Sequence, residues 1–272
     1  MRPSHPTVAG AAMLLALWAA GPAAAQSLDC IIHPQALVAV GSPVEGVLEK
    51  VDVERGDLVK EGQVVAVLES TVERASVALA VARAEVQSQM KSAEVRVDFG
   101  VRRFVRTEEM FKKELIPLKD MDEAETSKIL AELALLEAKE NRRITELELE
   151  RARAALAMRT IRSPVTGVVT ERLLAPGEFA TNQPILKVAQ IHPLRVEVIA
   201  PVSLFGRIRV GMQGEILPEA PVGGTHAARV TIVDRVVDAA SGTFGVRLEL
   251  PNPQYRLPAG LKCHVRFTND RK

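Results

Sequence analysis

The chain has 272 residues, of which 47% are hydrophobic, 25% charged and 3% aromatic. Its 35 basic and 34 acidic residues give a formal +1; Arg2 is the one charged side chain before Asp29, so loss of residues 1–25 leaves 34 against 34. A neutral chain whose one tryptophan is Trp18 argues against nucleic acid as the main partner, because such binding draws on neutralised phosphates and stacking, and it argues against one large aromatic core.

Arg2 and His5 precede an apolar run from Val8 to Ala20, followed by Gly21-Pro22 and a small-x-small pair, Ala23 and Ala25. This is the pattern of a signal peptide over residues 1–25, cleaved before Gln26. The run from 8 to 20 is thirteen residues, short of the roughly 20 needed to span hydrocarbon. No later stretch is long and apolar enough to span, so an exported protein is expected. Cys30 follows Ser27-Leu28-Asp29, a poor context for lipid modification, and the mature chain is expected not to be lipidated.

Residues 26–35 read as an N-terminal segment. After them, Ser42-Pro43-Val44-Glu45-Gly46-Val47 returns as Ser163-Pro164-Val165-Thr166-Gly167-Val168. The offset, 163 − 42 = 121, also relates Gly56 to Gly177 and Val64–Val67 to Ile185–Val188. A shared offset over three features marks an internal repeat. Each copy, 36–70 and 159–190, holds β-branched runs broken by Gly and Pro, the pattern of short strands and turns. One copy alone has unburied faces, so the two are expected to pack as one small β-sandwich.

Between the copies, residues 71–158 contain one Gly (Gly100) and one Pro (Pro117) out of 17 and 16 in the chain. Steps of three and four link Val72, Ala75, Leu79, Ala82, Val86, Met90, Ala93, Val97, Val101 and Phe104, and after Pro117 the pattern resumes at Ile129, Leu133, Leu136, Ile144, Leu147, Ala154 and Met158, with steps of seven and eight where a turn is skipped. Such spacing predicts a coiled-coil seam. Pro117 interrupts it, and Asp120 with Glu123 reads as an N-cap and capping box. Two antiparallel helices over 71–115 and 120–158 are expected, joined at Leu115-Ile116-Pro117-Leu118, each arm about 60 Å long.

Residues 191–272 carry runs at 194–199, 213–217, 228–233, 243–250 and 261–268, separated by Gly and Pro turns. In the last run Leu261, Cys263, Val265 and Phe267 alternate with Lys262, His264 and Arg266. Short antiparallel strands of this number predict a small barrel. The fold class expected is α+β, multi-module and elongated: a split β-sandwich carrying an inserted helical hairpin, then a small antiparallel β-barrel.

Over residues 36–268 this order resembles the HlyD-like periplasmic adaptor (membrane fusion) proteins of RND-type tripartite efflux pumps and type I secretion systems. The resemblance rests on the split Ser-Pro-Val-x-Gly-Val repeat. It rests equally on Thr243-Phe244-Gly245-Val246-Arg247, Leu250-Pro251-Asn252-Pro253 and Leu257-Pro258-Ala259-Gly260-Leu261. It implies a lipoyl-like (biotinyl-like) split domain, a non-enzymatic role, and a periplasmic location. It also implies three partners: an inner-membrane transporter (RND or ABC), an outer-membrane channel, and further copies in a ring, a hexamer being one such count. The family's tip motif for the channel is an Arg, a Leu four later and a Ser seven after that. Here it falls on Arg106, Met110 and Pro117, with Ile116 beside it. Met keeps an apolar contact, whereas Pro lacks the hydroxyl and the backbone donor. Many family members add a membrane-proximal domain after the barrel; only a few residues follow Phe267, so that domain is expected to be missing. A periplasmic coiled-coil scaffold or binding protein not engaged in export is the alternative.

Carrier chemistry is not expected, because the hairpin turn that would hold a modified Lys is replaced by the insertion after Glu69. His5, His33, His192, His226 and His264 lack metal-ligand spacing, and no cofactor or catalytic residue is assigned. Two Cys in an exported chain invite pairing. In the implied architecture the N-terminal segment returns beside the barrel, where Cys30 and Cys263 either bridge or remain two thiols.

Overall fold

The computed structural model describes residues 27–268; the expected signal peptide, residues 1–25, lies outside them. The chain divides into two compact units, one built from residues 33–194 and 252–259, the other from residues up to 32, 195–251 and 260 onward.

The first unit begins within β1 (Ser27–Val40) and continues through β2 (Gly46–Val51), β3 (Leu58–Val59), β4 (Val64–Leu68), α1 (Thr71–Ala84), α2 (Ser88–Lys112) and α3 (Leu118–Ala157). The chain then returns through β5 (Thr160–Arg162), β6 (Gly167–Arg172), β7 (Phe179–Ala180) and the start of β8 (Leu186–Pro201). The repeat is a structural one. Strand β2 pairs with β7, Gly46 opposite Ala180 and Val47 opposite Phe179, while β3 pairs with β6, Val59 opposite Gly167 and Leu58 opposite Val168. Adding 121 to Gly46 and Val47 gives Gly167 and Val168, and adding it to Leu58 and Val59 gives Phe179 and Ala180. The turns obey the same relation. Gly56 N–H donates to the Val169 carbonyl and Gly177 N–H to the Leu48 carbonyl, both at 2.8 Å. Both glycines have positive φ, 98° and 89°, where a side chain would be strained. Asp57 accepts from Glu54 N–H and Glu178 from Ala175 N–H, again both at 2.8 Å. Ser163 donates its hydroxyl to the Val165 carbonyl at 2.6 Å, as Ser42 does to Val44. Each half thus closes the other's turns, around a shared core of Leu48, Val59, Val65, Leu68, Val169, Ile185, Leu186 and Val188.

The insertion is a helical hairpin in which α1 and α2 both pack along α3. Its first arm departs from the expected single helix, breaking at residues 85–87 between α1 and α2. No Gly or Pro stands there; β-branched Val86 and Ser88 are weak helix formers. The second arm starts at Leu118 with Pro117 as its N-cap, so Asp120 lies inside the first turn and the expected capping box is not formed. The fixed φ of Pro117 presets the entry, and Asp120 N–H bonds the Pro117 carbonyl at 3.1 Å.

The seam also differs from the one expected. On α2 the inner positions are Met90, Ala93, Val97, Gly100, Phe104 and Thr107, with Ala93, Gly100 and Thr107 fully buried. This keeps most of the predicted residues and replaces Val101 by Gly100. On α1 the buried residue is Ala80, while Val72 and Leu79 are exposed. On α3 the inner face is Ala124, Ala131, Ala138, Thr145 and Ala152, whereas Ile129, Leu133, Leu136, Ile144 and Leu147 are all exposed. The physical reason is close approach: a Cβ on Gly100 would stand 3.3 Å from Lys128 Cα, which leaves room only for small side chains. The large apolar residues occupy the opposite face of α3.

The second unit takes part of β1, the rest of β8, and β9 (Gln213–Pro218), β10 (His226–Val233), β11 (Thr243–Leu250) and β12 (Lys262–Phe267). Strand order β1-β12-β9-β10-β11-β8, with β8 paired back to β1, closes a six-stranded barrel. Its first strand therefore comes from outside residues 191–272, where the whole barrel was expected. Leu28, Cys30 and Ile32 point inward in alternation, and Cys263 and Val265 do so on β12. Alternation with period two places these residues in one interior with Val196, Val198, Ile216, Val230, Phe244 and Leu248. Cys30 is directly opposite Cys263 in the β1–β12 register, Cα atoms 4.8 Å apart, and the sulfurs are joined as a disulfide.

Candidate functional site

The distal turn of the hairpin gathers three of the four residues singled out for docking. Helix α2 ends in a left-handed residue, Glu114 (φ 56°). Leu115 N–H donates to the Met110 carbonyl at 3.0 Å and Glu114 N–H to the Phe111 carbonyl at 2.9 Å. These two bonds, six-to-one and five-to-two, form a Schellman motif with Glu where Gly is usual. Met110 is thereby fixed at the helix end with an exposed side chain. Ile116 is half-buried in the turn and Pro117 exposed at the start of α3. Leu115 and Leu118, 68% and 60% exposed, extend the apolar knob; two leucines flanking Ile-Pro in a turn are the signal for them. Arg106 lies one helical turn below Met110, exposed, with its Nε donating to the Arg102 carbonyl at 3.2 Å. The tip therefore offers an exposed apolar cap with a cation one helical turn behind it.

At the other end of the hairpin a residue not singled out from sequence fixes the arms. Arg159, directly after α3, donates from Nη2 to Glu73 of α1 at 2.6 Å and from Nη1 to the Glu45 carbonyl at 3.0 Å. Both side chains are largely buried. A Cβ on Gly46 would stand 2.6 Å from that guanidinium, so the repeat's glycine also makes room for it. Beside it, Glu69 accepts Thr71 N–H at 2.8 Å at the start of α1. Hydrogen bonding from Thr71, hydroxyl first and N–H second, holds the Glu69 carboxyl below its ordinary range, aided by the charges of Arg74 and Arg159.

In residues 252–259 Asn252 is buried and fully used: its amide Nδ2 donates to the Ile191 and Leu257 carbonyls, both at 2.9 Å, and its Oδ1 accepts Leu257 N–H at 3.1 Å. Its role is structural. Among the described residues no three His, Cys, Asp or Glu side chains converge to hold a metal ion, and no helix is long and apolar enough to cross a membrane.

Residues 36–190 match the CzcB-like barrel-sandwich hybrid domain, and residues 194–271 the CusB-like beta-barrel domain. The cobalt-zinc-cadmium resistance protein CzcB of Cupriavidus metallidurans is 23% identical over 79% of this chain and 39% of its own length. The nickel and cobalt resistance protein CnrB of the same organism is 25% identical over 86% of this chain and 55% of its own. The chain thus spans about half or less of the length of these relatives. Among solved structures, MacA from Actinobacillus actinomycetemcomitans superposes with a TM-score of 0.73 at 19% identity, covering 89% of this chain and 78% of that one.

Proposed function

The chain belongs to the membrane fusion (adaptor) family defined by the CzcB-like barrel-sandwich hybrid domain, and we propose that it works in the periplasm as the adaptor of a tripartite export system. In this reading it links an inner-membrane transporter of the RND type to an outer-membrane channel, acts as a ring of identical copies, and catalyses no reaction. Delivery to the periplasm would follow from the signal peptide read in residues 1–25.

One observation carries the proposal. A β module whose halves close each other's turns holds a hairpin about 60 Å long at its open end, anchored through Arg159. That construction gives reach with little core, which a bridging protein needs and an enzyme does not. The tip residues Arg106, Met110, Ile116 and Pro117 are assigned to the channel contact, with Leu115 and Leu118 beside them.

Deletion of residues 100–130 in the full chain tests the assignment, in cells challenged with divalent metals and, in parallel, with amphiphilic drugs. Export should be lost while the variant accumulates with its Cys30–Cys263 bond formed. Undiminished export with the hairpin removed would overturn the adaptor role and favour a scaffold that uses its helices for another partner.

A further inference from the structure

The segment between β8 and β9 runs across one end of the barrel, and its two faces are unlike. Val202 N–H donates to the Gly242 carbonyl at 2.9 Å, and Gly211 N–H reaches the Val230 carbonyl at 2.8 Å. Between them Phe205 packs edge-on against the interior Phe244, ring centroids 5.3 Å apart. Residues 202–211 thus pass from β8 over β11 to β10 as a lid, with Ile208 as its buried face. Turned outward are Val202, Phe205, Arg207, Arg209 and Val210, all exposed. The β10–β11 loop, tied to Val202 through Gly242, adds exposed Arg235 and Val236. Val236 is 82% accessible, more than any other large apolar side chain among the described residues, and Val210 is 66%.

The cations of this face are uncommitted. Arg207, Arg209 and Arg235 form no ion pair among the described residues; Arg209 Nε donates to the Gly206 carbonyl at 3.4 Å. Residues 201–212 contain no acid. The loop contributes two, and neither pairs with an arginine. Asp238 accepts the Ser241 hydroxyl at 2.7 Å and Ala240 N–H at 3.0 Å within its own turn. Asp234 lies over Gly245 of β11, where its Oδ2 would collide with an added Cβ. Farther round the wall the charges are matched across strands, Arg266 opposite Glu215 and His264 opposite Asp29.

We propose that this end of the barrel docks on the surface of a bilayer containing anionic phospholipid. Val202, Phe205, Val210 and Val236 enter the headgroup layer, while Arg207, Arg209 and Arg235 stay at phosphate level, where a guanidinium pairs two oxygens at once. The apolar tips stand singly between the cations. A fluid headgroup layer accepts that arrangement, whereas a fixed protein surface would have to match it point by point. No described helix is long and apolar enough to cross a membrane, so the lid supplies a reversible attachment of a different kind. The inference goes beyond the adaptor reading, because it concerns the barrel alone.

Co-flotation of the purified full chain, as exported, with lipid vesicles tests it. Vesicles of phosphatidylglycerol and phosphatidylcholine, mixed about one to three, should carry the protein upward. Phosphatidylcholine alone should carry about tenfold less, and about 0.5 M salt should release it. Arg207→Glu with Arg209→Glu should lower binding to the anionic vesicles about thirtyfold or more. Val210→Ser with Val236→Ser should lower it about threefold or more. All four side chains are exposed, and a formed Cys30–Cys263 bond reports an intact barrel in each variant. Arg103→Glu with Arg153→Glu, the same change of charge placed on the hairpin, should leave binding unchanged. Failure to float, equal flotation on phosphatidylcholine alone, or an equal loss from the hairpin pair would each overturn the proposal. If the chain ignores vesicles yet Arg207→Glu with Arg209→Glu abolishes export in cells, the face belongs to an acidic protein partner and the lipid assignment is wrong. The vesicle assay contains no transporter or channel, so its outcome stands apart from that of the adaptor role.

Discussion

Gly100 is where a general rule and the particular contact disagree. Replacing a mid-helix Gly by Ala ordinarily gains up to about 1 kcal/mol of helix stability. Here the added methyl would lie 3.3 Å from Lys128 Cα and 3.7 Å from Ala131 Cβ. The first neighbour is backbone, which moves only if α2 and α3 separate by a few tenths of an ångström along the seam through Ala93 and Thr107. Overpacking of that kind costs about 1–3 kcal/mol. Subtracting the propensity gain leaves Gly100→Ala destabilising by about 1 kcal/mol, and Gly100→Leu by about 3 kcal/mol or more because an isobutyl group cannot be placed there. Urea unfolding followed by helical circular dichroism measures both. The reasoning is refuted if Gly100→Ala raises stability towards the full propensity gain, because the helices would then not be in backbone contact.

Four further outcomes are expected. Glu114→Gly should raise the hairpin's melting stability by about 1 kcal/mol, since the left-handed conformation is free for Gly; no change would mean the Schellman turn is not formed in solution. Loss of the Cys30–Cys263 bond, which closes a loop with a sequence separation of 233, should cost about 5 kcal/mol by chain entropy. Two reactive thiols in unfolded, unreduced protein would rule the bond out. Asn252→Ala should cost about 2–4 kcal/mol, because Leu257 N–H and two carbonyls lose their partner. Glu69 is held below its ordinary value of 4.5 in the fold, so its contribution is present above that pH and lost as pH falls through the lower, folded value. Hydrogen exchange in the first turn of α1 should accelerate over that acid range, and Glu69→Gln should remove the pH dependence.

The split module was readable because its constraints are conformational. Gly56 and Gly177 need positive φ, Ser42 and Ser163 need a hydroxyl two residues before a carbonyl, and such demands leave fixed letters at a fixed offset. The hairpin was readable as helix and misread as packing. Spacing of large apolar residues along α3 picked out Ile129, Leu133 and Leu136, but periodicity reports only that a face exists, not what covers it. The true seam of Ala124, Ala131 and Ala138 against Ala93, Gly100 and Thr107 is equally periodic at seven, yet small residues add little hydrophobicity and pass as background. The first barrel strand was missed: residues 26–35 read only as an N-terminal segment although Leu28, Cys30 and Ile32 alternate, because the partner strand lies more than two hundred residues away and no local signal reports that distance. The tip's apolar cap followed from Pro117 and its neighbours, whereas Arg159 looked like any helix-end charge, its partners Glu73 and Glu45 being distant in order.

The interlocked turns also bear on how the two halves of the sandwich meet during folding. Gly56 has its acceptor on Val169 and Gly177 on Leu48, so neither half can complete itself, and direct encounter would mean closing a coil of some 121 residues (163 − 42). If the helices zip first, residues 70 and 159 arrive together and the effective loop shrinks about fourfold, to 32 residues ((70 − 42) + (163 − 159)), a saving of about 1 kcal/mol in closure entropy. The rod that reaches outward in the finished protein is then also the device that delivers the second half of the sandwich to the first.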